Sequence, residues 1–274
     1  VSGSNYNSLT MLSGTGNDAS SGASVRSMKE VRLRIQNITA GPNEYWNGTN
    51  WTTESSTYVV TLGSGTWQYV FNNNDWTSNQ QYDLFSITVD SAGNVQDTPT
   101  GVRVRVDKDA PTAQVLQPSA TGYHNAAPVI SGTGYDVSAA NGSKIKYTYL
   151  RVKEIDLSGN TTKYWDFADT WVNGDTWTLL ASTGTWLYSG PVPGYTGTNG
   201  GRYYVYSSSS VDNAGNYQTA ISSIVIVYDT TLPVATVNLP YGSTSYYNAA
   251  TLANVSGTAS DTWPGIMNNI QVQV

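Results

Sequence analysis

Asp90-Ser91-Ala92-Gly93-Asn94, then an alternating stretch to Val106, then Asp107-Lys108-Asp109-Ala110-Pro111: this order of turn, strand and linker decides the fold, because it occurs twice. The second copy is Asp212-Asn213-Ala214-Gly215-Asn216, a stretch to Tyr228, and Asp229-Thr230-Thr231-Leu232-Pro233. Each part lies 122 residues after its match (212 − 90, 229 − 107 and 233 − 111). Self-similarity at a fixed spacing marks repeated modules, so the motif is first a piece of architecture and only then a candidate site.

Working outward, Ser-Gly-Thr begins at residues 13, 131 and 256, at spacings of 118 and 125. Each copy reads as a short apolar strand (Leu9 to Leu12, Val129-Ile130, Leu252 to Val255) entering a Gly-rich loop. An alternating strand follows each time: Val31, Leu33 and Ile35; Ile145 to Val152; Ile270, Val272 and Val274. Period-two apolar spacing is the pattern of a half-buried strand. Tyr45-Trp46 matches Tyr164-Trp165, and Gly65-Thr66-Trp67 matches Gly184-Thr185-Trp186, both at 119 residues (164 − 45, 184 − 65). Trp46 to Trp51 reads as a tight hairpin, because Asn47-Gly48 accepts the positive φ angles that such turns need. Tyr82 to Val89 pairs with Tyr204 to Val211. In the closing strand, Val102, Val104 and Val106 match Ile224, Ile226 and Tyr228 and form the expected core face. No segment keeps a 3.6-residue period. About seven short strands per repeat predict an all-β chain of antiparallel sandwiches.

The repeat divides the chain into 1–107, which has no copy of the first strand; 108–229, which is complete and opens with Thr112 to Leu116; and 230–274, which holds the first strand (Val234 to Leu239) and the next two. Too little chain remains in the third segment to bury a core. The expectation is therefore a window from a longer array. The alternative is a neighbouring chain that supplies missing strands by edge addition. The net charge is −6 with no basic stripe, which argues against a nucleic-acid partner. Cysteine is absent, so neither disulfides nor thiolate metal sites contribute. No apolar run is long enough to span a bilayer. Gly, Ser, Thr and Asn abound, and 20 Tyr and 9 Trp outnumber 3 Phe, a mix suited to pleated surfaces and polar turns.

In these turns, linkers, Ser-Gly-Thr strands and Tyr-Trp and Gly-Thr-Trp pairs, the chain resembles tandem bacterial immunoglobulin-like domains of very large secreted and cell-surface proteins. The resemblance spans the whole chain. It implies immunoglobulin-like β-sandwiches in a linear array, placed outside the cell or on its surface. The implied role is a stalk, surface layer or filament, whose partners are neighbouring repeats. The alternative is an adhesin module that binds glycan through exposed Trp and Tyr.

Catalysis is not expected. His124, the sole histidine, matches Tyr or Asn in the other copies and reads as a surface residue. Asp166, Asp169 and Asp175 beside Trp165, Trp171 and Trp177 have the composition of a glycosidase pair. They have no counterpart in the first repeat, so a solvated loop is the stronger reading. Trp46, Trp67, Trp165 and Trp186 recur and belong to the core. Trp51, Trp76, Trp171, Trp177 and Trp263 fall in turns or variable stretches, and Trp171 with Trp177 is the candidate glycan platform. In an immunoglobulin-like sandwich, the incoming linker lies beside the loop after the second strand and the loop before the last. That arrangement brings together Asp107 and Asp109 (linker), Asp136 (after Ser-Gly-Thr) and Asp212 (last turn), with Asp229 and Asp261 at the next joint. Carboxylates gathered at a joint are hard oxygen ligands suited to Ca²⁺. No cofactor is otherwise required. The plainer reading is that Asp at the head of Asp-x-Ala-Gly-Asn caps its own turn. Asn37, Asn47, Asn50, Asn141, Asn160 and Asn254 sit in Asn-x-Ser/Thr sequons.

Overall fold

The computed structural model describes residues 3–16, 28–39, 41–60, 65–97, 99, 101–119, 122–136, 143–156, 158–180, 184–195, 203–241, 246–248, 254–262 and 265–273. Asn141, Trp263 and Val274 lie outside the described residues.

The first sandwich contains β1 (Ser4–Tyr6), β2 (Met11–Thr15), β3 (Met28–Asn37), β4 (Glu44–Trp46), β5 (Trp51–Thr52), β6 (Tyr58–Val60), β7 (Thr66–Val70), β8 (Gln80–Asp90) and β9 (Gly101–Val106). One sheet runs β1-β9-β8-β3-β4-β5, with β6 also on β3, and it faces the two-stranded sheet β2-β7. The second sandwich contains β10 (Thr112–Gln117), β11 (Gly122–His124), β12 (Ser131–Tyr135), β13 (Ile145–Ile155), β14 (Thr161–Trp165), β15 (Trp171–Val172), β16 (Thr178–Leu180), β17 (Thr185–Leu187), β18 (Tyr203–Asp212) and β19 (Ser222–Tyr228). Its larger sheet has the same order, β11-β19-β18-β13-β14-β15 with β16 on β13, and faces the three-stranded sheet β10-β12-β17. A last pair, β20 (Val234–Leu239) and β21 (Ser256–Ser260), repeats the β10–β12 pairing, including the register shift between Val115 and Gln117 at Val237 and Leu239. The short strands β1 and β11 run parallel to β9 and β19, while the other pairings are antiparallel. This connectivity makes the all-β modules immunoglobulin-like sandwiches in tandem.

Ser-Gly-Thr is the strand itself, not the loop that follows it. Gly14 sits opposite Trp67 and Gly132 opposite Trp186. A Cβ on Gly14 would lie 2.6 Å from the Trp67 ring, and one on Gly132 would overlap both the Gln114 carbonyl and the Trp186 ring. The glycine is therefore the counterpart of the Gly-Thr-Trp motif on the neighbouring strand: it clears the space in which the indole lies flat. A second difference is at residues 270–273, which form no strand. Its matches β3 and β13 are held by β8 and β18, and the segment 230–274 contains no copy of those partners.

Alternation places Val31, Leu33 and Ile35 from β3, Tyr82 from β8, and Val104 and Val106 from β9 in the first core, with Trp46, Phe71 and Trp76. Leu150, Val152, Tyr204, Tyr206 and Ile226 do the same in the second, with Trp165 and Trp186. The expected core face of the closing strand is the observed one. The Trp46–Trp51 hairpin also forms as read: Gly48 has φ 101°, and the Asn47 side chain accepts from the Thr49 and Asn50 N–H groups at 2.9 and 2.8 Å. Asn37 is 3% exposed, so that sequon is closed to modification in the folded protein.

Candidate metal centre at the joint between two sandwiches

The linker 107–111 is gripped from both sides. Lys108 turns toward the first sandwich, where its ammonium donates to the Asn73 and Trp76 carbonyls at 2.8 and 2.5 Å and its backbone N–H to Ser78 Oγ at 2.9 Å. Burial pulls that ammonium below its ordinary range, against the pull of Asp75 and Asp109. Asp109 turns the same way and accepts from the Asn79 amide. Asp107 turns toward the second sandwich. Its carboxylate accepts from the Ser143 N–H at 2.5 Å, and its carbonyl accepts from the Asn216 amide at 2.8 Å. The backbone N–H of Asp107 donates to the Tyr6 carbonyl at 2.9 Å. One short linker thus binds both modules, Lys108 and Asp109 holding the first and the Asp107 carboxylate and carbonyl the second.

Asp107, Asp136 and Asp212 converge. Each offers a carboxylate oxygen within 4.8 Å of the other two, and they are 0%, 6% and 0% exposed. Three separate elements deliver them: the linker, the residue after β12, and the end of β18. Asp212 also caps its own turn, accepting from the Gly215 and Asn216 N–H groups at 2.7 and 2.9 Å and from the Asn216 amide at 2.7 Å. The turn-capping and site readings therefore hold together at this residue. Two unit charges this close repel by roughly 3 kcal/mol even at an effective dielectric constant of about 20. Like charges buried together call for a proton or a cation. The donor set consists of hard carboxylate oxygens with no sulfur or imidazole, which fits Ca²⁺ or Mg²⁺ better than a transition metal. Asp109, expected in the group, is not part of it, because its carboxylate is committed to Asn79.

Sequence reading missed Ser143 and Asn216. Asn216 was legible as the last residue of Asp-x-Ala-Gly-Asn. Its amide joins the turn carboxylate to the incoming linker, bonding both Asp212 and the Asp107 carbonyl. Ser143, whose Oγ also lies 3.5 Å from Asp136, follows a stretch of sequence that carries no repeat signal.

The next joint has the same plan. Asp229 donates its N–H to the His124 carbonyl at 2.9 Å, as Asp107 does to Tyr6, and accepts from the Thr231 N–H at 2.9 Å, as Asp107 does from Asp109 at 3.1 Å. The Asp229 and Asp261 carboxylates both crowd the position of a Cβ at Gly265. The third carboxylate of the set would come from a last turn, of which 230–274 holds no copy.

The aromatic residues divide differently from the expectation. Trp171 packs into the core, 5.4 Å from Trp165 and 5.6 Å from Tyr204 between ring centres, and its indole N–H donates to the Gly194 carbonyl at 3.0 Å. Trp51 has the same geometry, 5.5 Å from Trp46 and 5.3 Å from Tyr82. Trp76 is likewise core, 1% exposed, with its N–H on the Leu9 carbonyl. Trp177 lies half-buried under the Arg151 guanidinium, 4.4 Å from the ring centre. Trp171 is thus partly buried against the core, and Trp177 has a ring face against Arg151. Asp166 caps a turn through the Ala168 and Thr170 N–H groups, and Asp175 pairs with Arg151 at 3.1 Å.

No family model matches the chain, and no curated protein matches it. Among solved structures, it is similar to fibronectin(III)-like modules of Clostridium thermocellum CbhA, at 16% identity over 84% of this chain and 92% of that one, TM-score 0.34. It is also similar to a tetra-tandem repeat in the extending region of a large adhesion protein, at 17% identity over 93% of this chain and 53% of that one, TM-score 0.32. A third similarity is to a Ca²⁺-stabilized adhesin with which an Antarctic bacterium binds ice, at 19% identity over 92% of this chain and 52% of that one, TM-score 0.31. The chain spans about half the length of the two adhesin structures.

Proposed function

We propose that this chain is a load-transmitting stretch of an extracellular array of immunoglobulin-like repeats, with limits at 1–107, 108–229 and 230–274, whose joints are stiffened by a cation. The observation that carries the reading is the convergence of Asp107, Asp136 and Asp212 from a linker and two loops onto one buried place at a joint. Ca²⁺ there would supply the positive charge that three carboxylates need, together with a coordination demand of about six to eight oxygens. The protein's own residues do the rest. Lys108 and Asp109 hold the linker on the first sandwich, Asn216 and Ser143 hold Asp107 on the second, and Asp212 is preset by its turn. A joint tied on both sides resists bending, and the modules then add as a rod, each on the order of 40 Å at about 3.3 Å per strand residue.

The test is thermal unfolding with Ca²⁺ and with a chelator. At free Ca²⁺ about 100-fold above Kd, binding stabilises by about 2.7 kcal/mol. The parent midpoint rises, and Asp136→Asn abolishes the rise. An unchanged parent midpoint discards the metal centre.

A further inference from the structure

The larger sheet of the second sandwich carries a tyrosine cleft on the side away from its core. Thr148 and Leu150 of β13 are 2% and 0% exposed, so the alternating Tyr147 and Tyr149 lie on the opposite face. Their ring centres are 6.1 Å apart, with the planes at 57°. The chain leaving β18 passes through the Asp212–Asn216 turn and returns as Tyr217, 71% exposed and bridged to Val211. Val211 also stands opposite Tyr147, so a tyrosine flanks it on each side. The three tyrosines, with Lys146 and Asn213, border a cleft of about 280 Å³.

The fold does not require these aromatics. Through the matching pairings, Tyr147, Tyr149 and Tyr217 stand where the first sandwich has Glu30, Arg32 and Val95. There Glu30 and Arg32 form an ion pair at 2.6 Å. The cleft wall is also fixed in place. The Asn213 amide donates to the Ser143 and Lys144 carbonyls at 2.8 and 3.0 Å, and its backbone N–H donates to the Lys144 carbonyl at 3.0 Å. Ser91 holds the Asn213 position in the first copy. Lys144 has φ 64°, a conformation that residues with a side chain keep only where their surroundings impose it.

We infer that this cleft binds an uncharged hexose unit of a glycan. A pyranose has C–H groups on its ring face and hydroxyls around its rim. Tyrosine offers the matching pair, a flat apolar body and a hydroxyl tip, at low conformational cost. The Lys146 ammonium, 5.1 Å from the Tyr147 ring centre, adds donors, and the exposed Asn213 amide adds an acceptor. The volume lies near the lower end of small-molecule sites, about 300 Å³, which suits a sugar unit better than a peptide segment. An acidic sugar is disfavoured, because Asp212 forms part of the wall and belongs to the group of three carboxylates. The module then carries a ligand as well as load. Sugar binding here does not depend on the calcium-stiffened joint, since the turn's own hydrogen bonds hold the wall.

Saturation-transfer NMR and calorimetric titration of the 274-residue chain test it, against oligosaccharides of glucose, galactose, mannose and N-acetylglucosamine, with and without chelator. At least one of these is expected to bind with Kd on the order of 1 mM in both conditions, and galacturonic acid oligomers to bind more weakly. Tyr217→Ala, at an exposed position, weakens binding roughly tenfold while thermal unfolding is unchanged. A second variant, Tyr147→Glu with Tyr149→Arg, installs the ion pair that the first sandwich already uses at these positions, so the module folds and binding is lost. A parent that binds none of the uncharged oligosaccharides overturns the inference. So does stronger binding of the galacturonic acid oligomer, or binding that survives in the double variant.

Discussion

The Asp90 carboxylate accepts from the Ala92 and Asn94 N–H groups, each at 2.8 Å, and Asp212 repeats the arrangement with Gly215 and Asn216. Both turns use a glycine at positive φ, 90° at Gly93 and 94° at Gly215. The difference is the surroundings: Asp90 faces water, and Asp212 faces two more carboxylates. Hydrogen bonds, first from the Asn94 side chain, hold the Asp90 carboxyl below its ordinary 3.8, and turn bonds do the same for Asp156 and Asp166. Groups with a depressed folded pKa stabilise above their ordinary value and lose that contribution as pH falls through the folded one. Urea midpoints should therefore fall as pH drops below about 4, and Asp90→Asn should flatten that part of the profile. At Gly132 the constraint is steric. Gly132→Ala forces a methyl against a backbone carbonyl and an indole, and the expected cost is about 1–3 kcal/mol by denaturant titration. The residue types at these positions were legible in the sequence. The partner of each glycine was not, because a tryptophan more than 50 residues away makes the clash (67 − 14 and 186 − 132).

Elements repeat more faithfully than residues. The hairpin after Trp46 reaches Trp51 in five steps, and the one after Trp165 reaches Trp171 in six. One inserted residue removes Trp51 and Trp171 from a fixed-offset comparison, although β4–β5 and β14–β15 place them alike. This is why Trp171 read as variable although it packs against the core. Trp171→Ala should cost about 3–5 kcal/mol of stability in the second sandwich. The proline-containing stretch before β18 also has a structural use. Tyr195 meets Tyr204 edge-on at 4.8 Å, as Trp76 meets Tyr82 at 4.7 Å, and its hydroxyl bonds that of Tyr206. Burial pushes both the Tyr195 and Tyr206 phenols well above their ordinary range. A raised folded pKa stabilises below the unfolded value and is lost as pH rises, because the unfolded chain ionises first. The second sandwich should therefore lose stability above about pH 10, with late tyrosinate absorbance that appears together with unfolding. Tyr195→Phe should leave that tyrosinate amplitude one group smaller.

For the whole molecule, the question is whether the joint bends. If a cation binds Asp107, Asp136 and Asp212, small-angle scattering should give a longer maximum dimension in Ca²⁺ than in chelator, and Asp136→Asn should match the chelated parent under both conditions. The repeats, the all-β sandwiches, the hairpin at Asn47-Gly48 and the inward face of β9 were legible in residue order alone. These depend on alternation and local turn chemistry, which are written along the chain. Tertiary packing settled that Ser-Gly-Thr is strand, that Trp171 packs against the core, and that 270–273 form no strand among the described residues. It also decided which linker aspartate joins the centre. Asp107 and Asp109 are two residues apart and chemically identical, yet one meets carboxylates 29 and 105 residues further on (136 − 107, 212 − 107) and the other meets Asn79. The choice depends on which way each side chain points across a joint between two modules, and that direction exists only once both modules are folded and packed.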